Sequence, residues 1–298
     1  MRRLKWLGLA HDESQQKWHR SRKRKRLAAW LSGSGIEIGA LSRPLEIPPN
    51  AYVKYVDRMT VPELRHHYPE LADLPLVPVD IIGSAEDLSI LPDGSVDFVI
   101  ANHVLEHMQY PIRALQSCMR VLRTGGILYL ALPDARAGID HDRELTTIEH
   151  LLDEHRNGAE ANRESHYRDW CANAEKRDDV DEFVRKEMEM DYSIHFHVWR
   201  SDTFLDFLSA VRREARLECE VLAFAAPEYP GDDEFIVILA KGVSAHPRIQ
   251  PGRPTPRQRL RQSRIGPILR PPYRAAKRIG SGARRLVGQV RANADKPA

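Results

Sequence analysis

Three short segments between Gly35 and Asp134 carry polar residues at the spacings of one cofactor site. In the first, Glu37 and Gly39 stand two positions apart, which puts them on one side of an extended strand. Lacking a Cβ, Gly39 lets the chain come close to a ligand, with Ala40 next along the same backbone edge. Asp57 closes the second segment, where a carboxylate can accept both hydroxyls of a ribose. Charge-assisted bonds of that kind contribute roughly 1.5–3 kcal/mol each. The third segment runs Ser84-Ala-Glu-Asp-Leu-Ser-Ile-Leu-Pro-Asp-Gly-Ser-Val-Asp97 and leads into Asn102-His-Val-Leu-Glu-His107. A nucleotide-type cofactor is the chemistry these pieces suit. Nicotinamide is disfavoured, because Ala40, Leu41, Ser42, Arg43 and Pro44 follow Gly39 where G-x-G-x-x-G would place further glycines.

A second set of residues could move protons. His141, His150, His155 and His166 lie between residues 135 and 200, followed by His195-Phe-His197-Val-Trp199. Read as a strand, this last segment turns His195 and His197 to one side, so the two could meet in a cleft as general bases. Asp134, Asp140 and Asp142 flank the same region and could orient a histidine or hold sugar hydroxyls. For Asp140 and Asp142 a solvated loop position is an equal alternative. Two histidines on one strand are compatible with a metal but do not identify a ligand set, and none is assigned. Trp199 either stacks on an acceptor ring or packs in the core.

The elements that must position these groups follow from periodicity. Apolar runs at 36–38, 52–56, 76–82, 96–101 and 127–132 read as strands, with helices at 62–68 and about 104–122. This alternation predicts an α/β fold with a doubly wound, mostly parallel sheet, its ligand over the carboxyl ends of the strands. Pro44, Pro48 and Pro49 leave little room for a helix after the first strand. Residues 135–200 are polar and helical in places, an insertion after the fifth strand able to wall the site. Thr146-Thr-Ile-Glu149 fits a capping box with Thr146 as the cap. The pattern resumes with a helix from Ser201 and an antiparallel pair near 220–225 and 234–240.

The third segment, together with Leu105-Glu-His107, resembles the class I S-adenosylmethionine-dependent methyltransferases. The branch is the type 11-like one, with a G-D-A-E-x-L-P-F-x-D-x-S-F-D element and an L-E-H helix start. The resemblance is close over 33–134 and topological over 201–241. It implies a Rossmann-like fold, S-adenosylmethionine as cofactor, Glu37 and Gly39 at the methionine end and Asp57 on the ribose. Ala85 and Glu86 would border the adenine, and Asn102 and His103 would line the floor beneath the sulfonium. The sequence departs from the pattern twice: the E-x-G-x-G-x-G loop is reduced to Glu37-Ile-Gly-Ala-Leu-Ser-Arg43, and Ser84 replaces the acid before Ala-Glu, so Asp80 is assigned the adenine amino group instead. Leu145-Thr-Thr-Ile-Glu-His-Leu151 and His195-Phe-His-Val-Trp199 resemble segments of methyltransferases encoded among bacterial surface-polysaccharide genes. That implies O-methylation of a sugar or glycan acceptor.

Charge divides the 298 residues into three parts. Residues 1–26 carry ten Lys and Arg against Asp12 and Glu13, and residues 246–298 carry fourteen against Asp295, so the body between is strongly acidic within a net charge of +3. An acidic body disfavours specific nucleic-acid chemistry. The expected organisation is a basic helical segment at 1–32, a catalytic domain at 33–244 with the insertion at 135–200, and a basic Pro- and Arg-rich tail at 245–298. Within the leading segment, Ser21–Arg26 reads as a solvated helix face, while the tail has the charge to engage an anionic membrane surface. Three scattered cysteines and no apolar run of membrane-spanning length point to a reduced, cytoplasmic enzyme, peripheral at most. The reduced glycine loop leaves a rival reading, a catalytically silent partner of a glycan-assembly enzyme.

Overall fold

A mixed seven-stranded sheet in the order β3-β2-β1-β4-β5-β7-β6 carries the molecule. The computed structural model describes residues 13–229 and 231–242, with side chains from residue 20 onward; the expected C-terminal tail lies outside the described residues. In chain order the elements are α1 (Glu13–Ala28), β1 (Gly33–Ile38), β2 (Ala51–Asp57), α2 (Val61–His67), β3 (Ile81–Ile82), β4 (Val96–Asn102) and α3 (Pro111–Val121). They continue as β5 (Leu122–Pro133), α4 (Ile148–Asn157), α5 (Arg163–Asp169), α6 (Val180–Glu189), α7 (Ser201–Glu214), β6 (Cys219–Ala225) and β7 (Glu234–Lys241). Strands β1 to β5 pair in parallel, while β7 runs antiparallel between β5 and β6. The expected doubly wound α/β architecture is therefore the observed one.

Near-continuous Val, Ile and Leu along β4, β5 and β7 follow from burial on both sheet faces. On one face α3 and α7 pack Leu115, Met119, Phe204 and Phe207 against Val99, Leu128 and Val237. The other face needs a cover that the β1–β2 connection cannot supply, since residues 39–50 form no helix. Helix α1 and the turn after it fill that gap, with Leu27, Ala28 and Leu31 against Phe98, Ile127 and Ile236. The C-terminal part of α1 is thus packed on the body.

Of the run expected as a solvated face, Ser21, Arg22, Lys25 and Arg26 are exposed, while Lys23 and Arg24 turn inward. Lys23 is fully buried, donating to Asp232 Oδ2 at 2.6 Å and to the Glu234 carbonyl at 2.7 Å. Arg24 grips both oxygens of Glu234, and Arg20 pairs with Asp233. Acids opening β7 draw this helix face onto the end of that interior strand. Among the described residues no helix is long and apolar enough to cross a membrane.

Three further expectations shift, each through a local cause. The strand expected over 76–82 shrinks to Ile81–Ile82, because Pro75 and Pro78 have no amide to donate to a ladder. The helix expected over 104–122 becomes a single 3-10 turn, Leu105–His107, followed by α3. Pro111 forces Tyr110 out of the helical region (φ −121°, ψ 73°) and restarts the helix at its own first position. In the insertion Thr147, not Thr146, caps α4 by accepting from the His150 amide. Thr146 Oγ1 is taken by the Val198 amide at 2.9 Å.

Candidate active site

A cavity of about 800 Å³ opens over the carboxyl ends of β1 and β4, within the usual size of small-molecule sites. Glu37, Gly39 and Ala40 form its floor at the end of β1, and Asn102, His103 and His107 line it from the end of β4. Arg20, Arg24 and Lys25 of α1 and the loop 41–46 wall it in. The backbone here turns sharply: Gly39 (φ 64°), Leu41 (φ 50°) and His103 (φ 52°) all occupy the left-handed region. For glycine that costs little, whereas Leu41 and His103 hold it only because the surrounding structure fixes them.

Glu37 holds the loop that replaces the missing glycines. Its carboxylate accepts from the Leu45 amide through both oxygens, at 2.9 and 3.1 Å, and from Asn102 Nδ2 at 3.2 Å. Burial nevertheless pushes this carboxyl up to about 7, since those bonds and distant Arg24 recover only part of the desolvation cost. No cation bonds to it among the described residues, and Asn102 Oδ1 is buried with no donor at all. A ligand bringing an ammonium group to this corner fits both deficits.

His103 stands between two unlike acids. Its Nε2 lies 3.1 Å from Glu234 Oε2, and its Nδ1 lies 3.5 Å from Glu106 Oε1. Burial would raise Glu234, but His103 and Arg24 outweigh it and bring it to about 2. Glu106 is fully buried with neither oxygen hydrogen-bonded, and its desolvation pushes its pKa up. Opposed shifts around one imidazole suit proton handling. Next to it, His107 accepts no charge easily: burial, then the nearby His195, lowers it to about 3.

The remaining expected residues fall elsewhere. Asp57, Asp80, Ala85 and Glu86 do not line the cavity. Asp57 ends β2 with Oδ1 accepting from the Arg58 amide, and burial raises its pKa. Asp80 is a correction to the sequence reading: its Oδ2 and its amide both pair with the Tyr55 backbone, at 2.8 and 2.9 Å, so it registers the sheet edge. Glu86 Oε1 accepts from the Tyr110 amide at the start of α3. Asp134 is also corrected, since its buried carboxylate holds Arg136 bidentately and accepts from the Ser201 amide at the start of α7. Burial would raise it, but these bonds keep it below its ordinary value. Such an acid is a structural joint.

The two histidines of the 195–199 segment part company. No strand forms there, and His197 turns inward, fully buried, toward Glu154. His195 instead bonds Asp140 Oδ2 through Nδ1 at 2.7 Å and meets the His107 ring edge-on at 4.6 Å. It reaches the cavity only through His107. Burial would raise Asp140, yet His195 and Arg143 hold it below its ordinary value. Trp199 stacks on Phe207 in the core, which removes it as an acceptor platform.

Arg24, Glu106, His107 and Glu234 were missed as site residues. For Arg24 and Glu234 the available signal was charge, since the basic run at 20–26 pairs with Asp232-Asp-Glu234 at the start of β7.

Residues 35–130 match the family model described as a methyltransferase domain. The cofactor this implies is S-adenosylmethionine. A curated Mycolicibacterium smegmatis protein named "Probable S-adenosylmethionine-dependent methyltransferase" is 34% identical over 103 residues, 31% of this chain and 37% of that protein. A Streptomyces fradiae protein in transposon TN4556 is 33% identical over 106 residues, 34% of this chain and 28% of its own length. The matched segment therefore spans about a third of these relatives. Among solved structures, an S-adenosylmethionine-dependent methyltransferase of Thermotoga maritima aligns over 78% of this chain and 96% of its own, at 16% identity and a TM-score of 0.39. The matched residues include Glu37, Gly39, Asp57, Asn102 and His103, so the segment similar to that family holds the cavity's lining apart from the residues of α1.

Proposed function

We propose that the chain transfers a methyl group from S-adenosylmethionine to a hydroxyl of a sugar or glycan-type acceptor. The observation that carries the reading is the corner at the end of β1, inside the matched segment, where Glu37 is buried with no bonded cation and Asn102 Oδ1 has no donor. When bound, the cofactor supplies an electrophilic methyl group. Glu37 and Asn102 would take its amino-acid end, the Gly39–Ala40 backbone would lie alongside it, and Asp57 and Ala85–Glu86 would border ribose and adenine. His103 lines the cavity and is the group proposed to accept the acceptor's proton, with Glu234 orienting the ring. A positioned base of this type typically contributes ~10²–10⁴-fold. The sugar assignment rests on the polysaccharide-gene resemblance of the insertion and on its acidic, hydroxyl-binding composition.

Titration with S-adenosylmethionine and S-adenosylhomocysteine by calorimetry tests the cofactor, and transfer of labelled methyl into cell-envelope extracts tests the acceptor. Absence of binding at millimolar ligand would overturn the enzyme reading. One observation favours the rival, a silent partner of a glycan-assembly enzyme: both Glu37 oxygens are already engaged by the Leu45 amide. Such a partner would bind neither ligand. Peripheral attachment through residues 246–298 belongs to the same proposal, and removing them should weaken sedimentation with anionic vesicles while cofactor binding persists.

A further inference from the structure

Away from the cavity, the insertion gathers three imidazoles and one carboxylate from three elements. His150 and Glu154 stand one turn apart on α4, His166 comes from α5, and His197 from the extended segment before α7. Glu154 Oε1 lies 3.1 Å from His150 Nε2 and 2.9 Å from His166 Nε2. Those two nitrogens are 3.3 Å apart, and Glu154 Oε2 is 3.6 Å from His197 Nε2. One ligand atom from each residue falls within 4.8 Å of all the others. Around a tetrahedral ion with bonds of roughly 2.0–2.2 Å, ligand atoms stand about 3.3–3.6 Å from one another. The separations to the two Glu154 oxygens and between His150 and His166 run from 2.9 to 3.6 Å.

Hydrogen bonding leaves the cluster unfinished. His150, His166 and the Asn162 amide all crowd Glu154 Oε1, while Glu154 Oε2 is buried without a donor. His197 is fully buried, and its Nδ1 has no partner either. Three imidazoles thus point ε nitrogens at one carboxylate of which only Oε1 is hydrogen-bonded, and His197 Nε2 has besides it only a long contact to the Gln109 carbonyl at 3.5 Å. A cation at the centre resolves the arrangement, and Asn162 would then orient the carboxylate from outside.

We propose that His150, Glu154, His166 and His197 bind one divalent first-row transition ion, with zinc the favoured occupant. Nitrogen-rich donors disfavour magnesium and calcium, which take mostly oxygen ligands. Four protein ligands close the site, as structural zinc centres require, and the partly exposed His150 provides the entry path. Bound there, the ion ties α4, α5 and the 195–199 segment into one unit. That segment's Phe196 and His197 amides both donate to the Glu106 carbonyl, so the ion also fixes how the insertion meets the cavity's edge.

The test uses the full chain purified without a histidine tag. Elemental analysis should find about one zinc per chain, and chelation should lower the melting temperature until zinc is restored. His150→Ala, at a partly exposed position, and the isosteric Glu154→Gln should keep the native circular-dichroism spectrum. Both should bind zinc at least about tenfold more weakly in competition with a chromophoric chelator. His195→Ala, outside the cluster, should retain the metal. A melting temperature indifferent to both chelator and zinc would overturn the proposal, as would variants that hold zinc as tightly as the parent chain.

Discussion

The strand-end cavity and the insertion both bury acids, and they treat them in opposite ways. In the cavity Glu37 is pushed up to about 7, and Glu106 behind His103 is raised as well, neither of them hydrogen-bonded to a cation. In the insertion, Glu154 is brought to about 2 and Asp140 falls below its ordinary value, because imidazoles and Arg143 outweigh the cost of burial. An acid held up by desolvation is a place where an incoming cation gains most. An acid already surrounded by partners fixes shape. The difference assigns binding to the strand ends and architecture to the insertion, although Glu234, clasped by Arg24 and His103, follows the insertion's rule at the cavity wall.

The sharpest way to break this contrast is to remove a partner from each side. Arg143 is buried between Asp140 Oδ1 at 2.8 Å and Asp169 Oδ2 at 2.7 Å, so Arg143→Ala strands a buried carboxylate. A loss of about 3–5 kcal/mol in unfolding free energy is expected from urea titration. Glu37→Gln, which keeps the acceptor for Leu45, should change stability by less than about 1 kcal/mol. Equal losses from the two substitutions would dissolve the distinction.

Activity separates the regions next. His103→Ala should cut turnover by ~10²–10⁴-fold while S-adenosylhomocysteine affinity barely moves. His195→Ala should cut it less, since His195 reaches the cavity through His107. If His195 proves the more sensitive, the proton acceptor belongs to the insertion after all. Asp57→Ala acts on cofactor affinity instead of turnover. Loss of two charge-assisted bonds of roughly 1.5–3 kcal/mol each should weaken binding by about 10²-fold or more; calorimetry showing unchanged affinity would remove Asp57 from the site.

How much of this was legible in the sequence follows the same divide. The parallel sheet, the antiparallel β6–β7 pair and the positions of Glu37, Gly39, Asn102 and His103 at strand ends came from periodicity, because strand geometry is a local property of the chain. The role of Glu37 as anchor of the 40–45 loop did not, since it depends on where Leu45 returns after three prolines. In the insertion, an alternating pattern at 195–199 suggested a strand with both histidines on one side. Thr146 pairing with Val198 and the Phe196 and His197 amides pairing with Glu106 instead hold the segment extended between two neighbours, and its histidines part. Long-range partners of that kind leave no periodic trace. The clasp of Lys23 and Arg24 on Asp232 and Glu234 was visible only as two opposite charge runs far apart in the chain.

Linkage to pH offers the finest test, and it turns on Glu37. Its folded-state pKa of about 7 lies above the ordinary 4.5, so the folded chain holds this proton more tightly than the unfolded one. The group's contribution to stability is therefore fully present below about 4.5 and is lost as pH rises through about 7. A cofactor ammonium beside Glu37 favours the ionised form, which reverses the sense for binding. Below neutrality binding must release a proton, and affinity should climb by up to about tenfold per pH unit until it levels near 7. Calorimetry in buffers of different ionisation enthalpy measures that proton directly. Glu37→Gln should abolish both the proton release and the slope, leaving a weaker, pH-independent affinity. A slope that survives the substitution would place the titrating acid elsewhere, with Glu106 the next group to replace.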